Sequence, residues 1–300
     1  MQQKPGDARI KKVINDQMDG WTVERVLRQG LGVSRSLLRS AKRKGNILLN
    51  GNPVKSNVFV KRGEVLELLM EPRQTSILPQ PMALEFLYED QDLLAVHKPP
   101  GMLVHPLTTE TMGTLANGVL YHWLGQGLTD CFRPVHRLDR DTSGLVLVAK
   151  NPFAHQQLQR QMRQGLFTRR YLALVEGQCQ PPRGVIRAPI GPAAGSIIKR
   201  AVTSAGQPAL SRYTVLRQSA GASLACVQLE TGRTHQVRVH MAHLGHPLLG
   251  DTLYGGDDSE ITRQALHCAY LAFRHPDSGE PVKLACPLPK DMREVIKRLL

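Results

Sequence analysis

The sequence predicts an α+β protein in two parts, and three observations carry that expectation. From Met82 onward, short apolar runs recur between turn signals with helical segments among them. Residues 9–71 hold 13 Lys and Arg against 6 Asp and Glu, a net +7 that is half of the chain's +14. Between these regions residues 72–81, PRQTSILPQP, carry three prolines and no periodicity, as an interdomain linker does. The expected organisation is a small basic α/β module at 9–71 and a larger domain at 82–300. The larger domain should contain a mixed, mainly antiparallel sheet with flanking helices.

In the small module, Val23, Val26, Leu27 and Leu31 mark a first amphipathic helix. Ser34 suits an N-cap, Arg35 to Lys44 has helical composition, and Gly45 suits the left-handed position that ends a helix. On this second helix Leu37, Leu38 and Ala41 form the packing stripe, while Arg35, Arg39, Lys42 and Arg43 group on the other side. Asn46 to Leu49 reads as a strand, Asn50-Gly51 as a hairpin turn, and Val65 to Leu68 as a further strand after Arg62-Gly63.

In the large domain the expected strands are Leu93 to Val96, Met102 to Val104, Leu145 to Ala149, Tyr171 to Val175, Tyr213 to Leu216 and Leu224 to Leu229. Helices are expected around His155 to Arg163 and Thr234 to Leu244. No G-x-G-x-x-G follows a strand and no G-x-x-x-x-G-K-[ST] occurs, so no nucleotide cofactor is supported.

Three segments concentrate chemistry. HRLDRDTSGLVLVAK, His136 to Lys150, sets Asp139 among Arg137, Arg140 and a small-residue turn, directly before an apolar strand buried on both faces. LETGRTHQVRVHMAHLGHPLLGDTLYG, Leu229 to Gly255, places Arg233 just ahead of a helix that Thr234 can cap and Gly245 can close. A helix N-terminus with a guanidinium beside it attracts an anion, either a carboxylate of the protein or a phosphate of a substrate. FTRRYLALVEG, Phe167 to Gly177, puts Tyr171 on a strand.

Together these segments resemble the signatures of the RluA-type pseudouridine synthases, which convert uridine in RNA to its C-glycoside isomer. Further matches at HKPPGMLVHP (97–106) and LHCAYLAFRHPDSGE (266–280) spread the resemblance over nearly all of 82–300, in the family's order. The small module, centred on SRSLLRSAKRKGNILLNGNPV, resembles the S4 RNA-binding domain; it has Trp21-Thr22-Val23-Glu24-Arg25 where such modules commonly begin with Arg-Leu-Asp.

The resemblance implies an isomerase that acts on RNA without a cofactor. It implies Asp139 as the catalytic aspartate, Arg233 as the arginine that pairs with it, Tyr171 as the tyrosine beside the target base, and Arg137 as an aid to base flipping. Arg169 stands where the family usually has lysine, and no catalytic role follows for it. Asp139 could attack C1′, deprotonate C2′ to give a glycal, or attack C6 of the base. The S4-like module, through Arg35, Arg39, Lys42 and Arg43, would supply RNA affinity. Large-subunit ribosomal RNA is the expected partner and transfer RNA the alternative, with no DNA expected and a monomer as the default.

The bulk features fit this reading. A length of 300 residues at 41% hydrophobic content supports a substantial core, and a pI near 9.9 points to a polyanionic partner. Five cysteines at 131, 179, 226, 268 and 286, never in a Cys-x-x-Cys pair, argue against a disulfide framework or a cysteine-rich zinc site. The N-terminus shows no hydrophobic leader, and no apolar stretch is long enough to span a bilayer, so a cytoplasmic protein is expected. His235, His240, His243 and His246 lie within twelve residues but lack the helical spacing of a zinc site, and no metal is expected. The competing reading, an RNA-binding assembly factor that keeps the fold without the chemistry, is opposed by the intact Asp139, Tyr171 and Arg233.

Overall fold

A computed structural model describes residues 8–72 and 74–300. Residues 1–7, most of the N-terminal stretch read for a leader, and Arg73, inside the expected linker, lie outside the described residues.

The basic region forms a four-stranded antiparallel sheet in the order β1-β4-β2-β3, from β1 (Ala8–Val13), β2 (Ile47–Leu49), β3 (Asn52–Pro53) and β4 (Val65–Met70). The expected first helix is a short α1 (Val23–Arg25) running on into a π turn at Val26–Gly30, with Val23, Val26 and Leu27 fully buried. The second is α2 (Arg35–Lys44), with the Ser34 side chain accepting from the Leu37 N–H and Gly45 closing it at φ 69°. Both residues of the Asn50-Gly51 turn have positive φ, as a tight hairpin requires. This unit has its own apolar core, which includes Ile14, Val33, Leu38, Ile47 and Leu68.

The larger unit is built on a ten-stranded sheet. Along its main path the order is β10-β13-β14-β9-β15-β8-β6-β5, comprising β5 (Glu85–Glu89), β6 (Leu93–Lys98), β8 (Ser143–Ala149), β9 (Thr168–Glu176), β10 (Arg183–Arg187), β13 (Leu210–Gln218), β14 (Ala222–Leu229) and β15 (Leu266–Arg274). β7 (Arg133–Pro134) pairs with β8, and β16 (Pro281–Ala285) pairs with β15. All these pairings are antiparallel except β15 with β8. At that parallel junction the backbones approach so closely that a Cβ on Gly144, itself at φ 113°, would sit 2.3 Å from the Cys268 carbonyl oxygen. Every residue of β8 is buried, as its unbroken apolar run predicts.

The flanking helices are α3 (Leu115–Gly125), α4 (Pro152–Arg163), α5 (Gln236–His243) and α6 (Lys290–Leu299), with a small hairpin of β11 (Ile190–Pro192) and β12 (Arg200–Val202) beside the sheet. No helix among the described residues is long and apolar enough to cross a membrane.

Two expectations are corrected. Met102 to Val104 is not a strand: the Leu103 and Val104 carbonyls accept from the Leu115 and Ala116 N–H groups at the start of α3, and the Met102 carbonyl accepts from Lys98. Thr234 does not cap α5. His235, left-handed at φ 58°, is the cap residue, and the Gln236 side chain closes the preceding turn.

The two units touch through α4. Phe153 packs into the small unit's core, the Gln156 carboxamide accepts from the Ser34 N–H at 2.7 Å and donates to the Gly32 carbonyl at 2.5 Å, and Gln157 donates to the Leu31 carbonyl at 2.9 Å. Gln156 thus reads both polarities of the backbone that leads into basic helix α2.

Candidate active site

Asp139 sits on the loop between β7 and β8, its side chain 25% exposed in a cleft of about 1030 Å³. The loop is fixed by its own carbonyls. Fully buried Lys98 donates to the carbonyls of Arg140, Pro99 and Met102 at 2.7, 2.9 and 2.8 Å, and Arg263 donates to that of Asp141 at 3.0 Å. Burial pushes the Lys98 amine down to about 7, against the pull of Asp141 and Asp139. Arg140, next to Asp139 in sequence, turns away into a bidentate pair with Glu110.

The arginine facing Asp139 is Arg238. Its Nη1 lies 3.5 Å from Asp139 Oδ2, while Nε and Nη2 each bond Asp251 at 2.7 Å. Arg238 is 7% exposed and Asp251 1%, so the fork is locked before it reaches the cleft. The Tyr254 ring lies 4.9 Å from the Arg238 guanidinium carbon, and the Tyr254 hydroxyl is 2.8 Å from His235 Nδ1. His235 Nε2 is in turn 4.0 Å from Asp139, and burial lowers its pKa, which favours the neutral ring.

Arg233, expected from sequence to pair with Asp139, does not reach it. Its Nε donates to the Pro208 carbonyl at 3.0 Å, and among the described residues no carboxylate lies within ion-pair distance of it. The cause is the turn ahead of α5. Gln236 Oε1 accepts from the Thr231 hydroxyl and the Arg233 N–H, and its amide donates to Leu210 and Ser211, which ties residues 231–236 to β13; Arg233 still lines the cleft, with its Nε held by Pro208. Arg238 carried a usable sequence signal: a charged residue between Val237 and Val239 on a helix with apolar neighbours needs a buried partner, and Asp251 follows within the same segment.

Tyr171 is where the strand reading placed it. It pairs across β9 with Val227 and Cys268, is 5% exposed and lines the cleft with Asp139. Burial raises its pKa well above the ordinary phenol value, so the hydroxyl stays protonated. Arg137, exposed, lines the same cleft. His136 is buried, accepts the Leu147 N–H at its Nε2, and is held neutral by burial, its pKa pushed down to about 3.

The clustered histidines go separate ways. His240 bonds Ser211 and the Ala188 carbonyl, while His246 bonds the Glu176 carbonyl. Of the basic residues expected on α2, Arg35, Arg39 and Lys42 line a second groove together with Arg25 and Arg28, whereas Arg43 is exposed outside it. Lys42 is also paired with Glu24 at 2.6 Å.

Residues 92–243, which contain the Asp139 loop, Tyr171 and Arg238, match the RNA pseudouridylate synthase family model. The chain belongs to that family. The synthase is 43% identical over 270 residues to "Uncharacterized RNA pseudouridine synthase YjbO" of Bacillus subtilis, covering 89% of this chain and 95% of that one. It is 39% identical over 273 residues to "Ribosomal large subunit pseudouridine synthase D" of Pseudomonas aeruginosa, over 86% and 85% of the two chains. Among solved structures it matches "Human RNA Pseudouridylate Synthase Domain Containing 1" with a TM-score of 0.57 at 30% identity, over 69% of this chain and 86% of that one. The synthase is therefore an isomerase that acts on RNA, with the mixed, mainly antiparallel α+β fold of its family.

Proposed function

We propose that the enzyme isomerises a uridine of large-subunit ribosomal RNA through Asp139. The observation that carries this is the convergence of Asp139, Tyr171 and Arg137 on one cleft, with the Asp251-locked Arg238 3.5 Å from the Asp139 carboxylate. The reaction breaks the bond from C1′ to N1, rotates the base and joins C1′ to C5, with the C5 proton lost and N1 protonated. Atoms balance and there is no redox change.

A uridine within folded RNA must first leave its stack, at a cost of a few kcal/mol. Arg137, exposed at the cleft mouth, would take the vacated place of the base. Tyr171 offers a flat, buried ring and an unionised hydroxyl to the flipped uracil. Asp139 then acts at C1′, C2′ or C6, with the Arg238 charge beside it and pre-oriented, so that little reorganisation is needed during reaction. Arg233 has no place in this arrangement against Asp139.

The ribosomal target follows from relatives named for the large subunit, including the Pseudomonas aeruginosa protein. The S4-like unit supports it as well, because its groove of Arg25, Arg28, Arg35 and Arg39 offers a phosphate backbone a cationic track. Chemical mapping of pseudouridine in total RNA from cells with and without the gene tests this reading. At least one large-subunit uridine should remain unmodified without the gene; an unchanged ribosomal RNA map with a lost transfer-RNA site would move the target to transfer RNA.

A further inference from the structure

Arg169 is a buried cation without an anion among the described residues. It stands two residues before Tyr171 on β9, on the same face, and lines the same cleft. It is 6% exposed, yet its only side-chain hydrogen bond among the described residues runs from Nη2 to the Thr231 carbonyl at 3.1 Å, and its buried Nε has no partner. No carboxylate among the described residues lies within ion-pair distance of it.

A buried guanidinium left this way is costly, since the net penalty for an uncompensated ion amounts to several kcal/mol. Folds keep such groups when something outside the chain completes them. Two neighbours point the same way. Gly232, exposed, lies directly over the guanidinium: a Cβ there would sit 2.7 Å from Arg169 Nη1 and 3.4 Å from Nη2, so only a bare glycine fits and no side chain at 232 shields the charge. His136, 5% exposed in the wall of the same cleft, accepts at Nε2 and so carries its proton on Nδ1, and that buried donor also lacks a partner among the described residues.

We propose that Arg169, reached over Gly232, is the counter-charge for one backbone phosphate of the substrate RNA next to the flipped uridine. A carbonyl of the base would meet the hydrogen-bonding need but not the charge, and the anions of an RNA substrate are its phosphates. Asp139 and Arg169 then grip the same nucleotide at different points, one at the sugar and one at the backbone. This rests on the pseudouridylation reading above and adds the residue that seats the strand.

The test uses the full chain and a synthetic RNA hairpin spanning the uridine whose pseudouridine depends on the gene. Each phosphate flanking that uridine is replaced in turn by an uncharged methylphosphonate. The wild type should lose affinity at one linkage by roughly ten- to a hundredfold, the range for a hydrogen-bonded charge. Arg169→Met should raise KM by a similar factor and become indifferent to that linkage, with kcat little changed. Its thermal midpoint should be unchanged or higher, since an unpaired buried charge has been removed.

Equal sensitivity of wild type and Arg169→Met to every linkage would overturn the assignment, as would a lowered thermal midpoint with KM unchanged. Should the Met variant not fold, Arg169→Lys carries the same comparison: its loss at that linkage must be smaller than the wild type's, and an undiminished loss overturns the proposal. A hairpin that the wild type isomerises normally while these comparisons fail sinks the phosphate contact alone. A hairpin that the wild type leaves unmodified sinks the functional reading and this inference with it.

Discussion

Arg238 spends two of its nitrogens on Asp251, each at 2.7 Å, and turns the third to Asp139 at 3.5 Å. The carboxylate in the cleft thus faces a guanidinium that a second, fully buried carboxylate has already oriented. Arg238→Gln should lower kcat by roughly a hundred- to a thousandfold, the range for removing a pre-oriented charge-stabilising donor, while Arg233→Gln should leave kcat within a few-fold of wild type. Single-turnover rates on the modified RNA separate the two, and a larger loss for Arg233→Gln would reverse the assignment. Asp251→Asn leaves Arg238 buried without its partner and should cost about 3–5 kcal/mol of stability, read by chemical denaturation.

Lys98 predicts a pH dependence of stability. Its folded pKa, about 7, lies below the unfolded value of 10.5, so between these values the unfolded chain binds more protons and stability rises with pH. Below about pH 7 both states are protonated and the full cost of burying the charge is present; it is relieved progressively toward pH 10.5. Tyrosines and cysteines whose burial raises their pKa act in the opposite sense at high pH, so the quantity to measure is the difference between wild type and Lys98→Met. The wild type should gain on the variant as pH rises from 7 to 10, and a flat difference would show that Lys98 is not held in this way.

Gln156 and Gln157 fasten the small unit to α4 by three hydrogen bonds to backbone groups at Leu31, Gly32 and Ser34. Replacing both by Ala leaves these groups to water and should loosen the connection without unfolding either core. The expected signs are a larger radius of gyration in small-angle scattering and faster proteolysis within residues 74–81. Unchanged scattering and cleavage would mean that Phe153 alone suffices to hold the units together.

The groove on the small unit predicts unequal effects among basic residues that the sequence groups together. Arg35→Glu with Arg39→Glu should flatten the salt dependence of RNA binding, each lost phosphate contact removing roughly 0.7–0.9 from the log–log slope. Arg43→Glu, outside the groove, should change it least, and Lys42→Glu should fall between because Glu24 already engages that amine. Equal slopes for all variants would place the RNA elsewhere.

What the sequence made legible follows from how local the signal is. The Ser34 cap, the Gly45 stop and the β8 run depend on neighbours in the chain, and each lies where it was expected. α3 escaped notice because LANGVLYHWLG is buried on most of its surface and shows no polar face, so a helical period has nothing to contrast with. In the site, Asp139, Tyr171 and Arg137 come from motif positions and share the cleft. The pairing of Arg233 with Asp139 rests on the resemblance of the Gly-Arg-Thr-His-Gln run to the family signature, which does not display Arg238. Which arginine meets Asp139 depends on the packed chain: the Gln236 side chain reaches β13 and Arg238 is locked on Asp251, contacts between residues apart in sequence. The unpartnered state of Arg169 is likewise a property of the packed chain, and no spacing rule displays it.

The most direct measurement concerns Asp139 itself. Purified Asp139→Asn enzyme is compared with wild type for single-turnover pseudouridine formation in the target hairpin, and for affinity to the same RNA. The account predicts that the variant forms no detectable pseudouridine while its Kd and thermal midpoint stay close to those of wild type. Isomerisation by the Asn variant at a rate near that of wild type would contradict it.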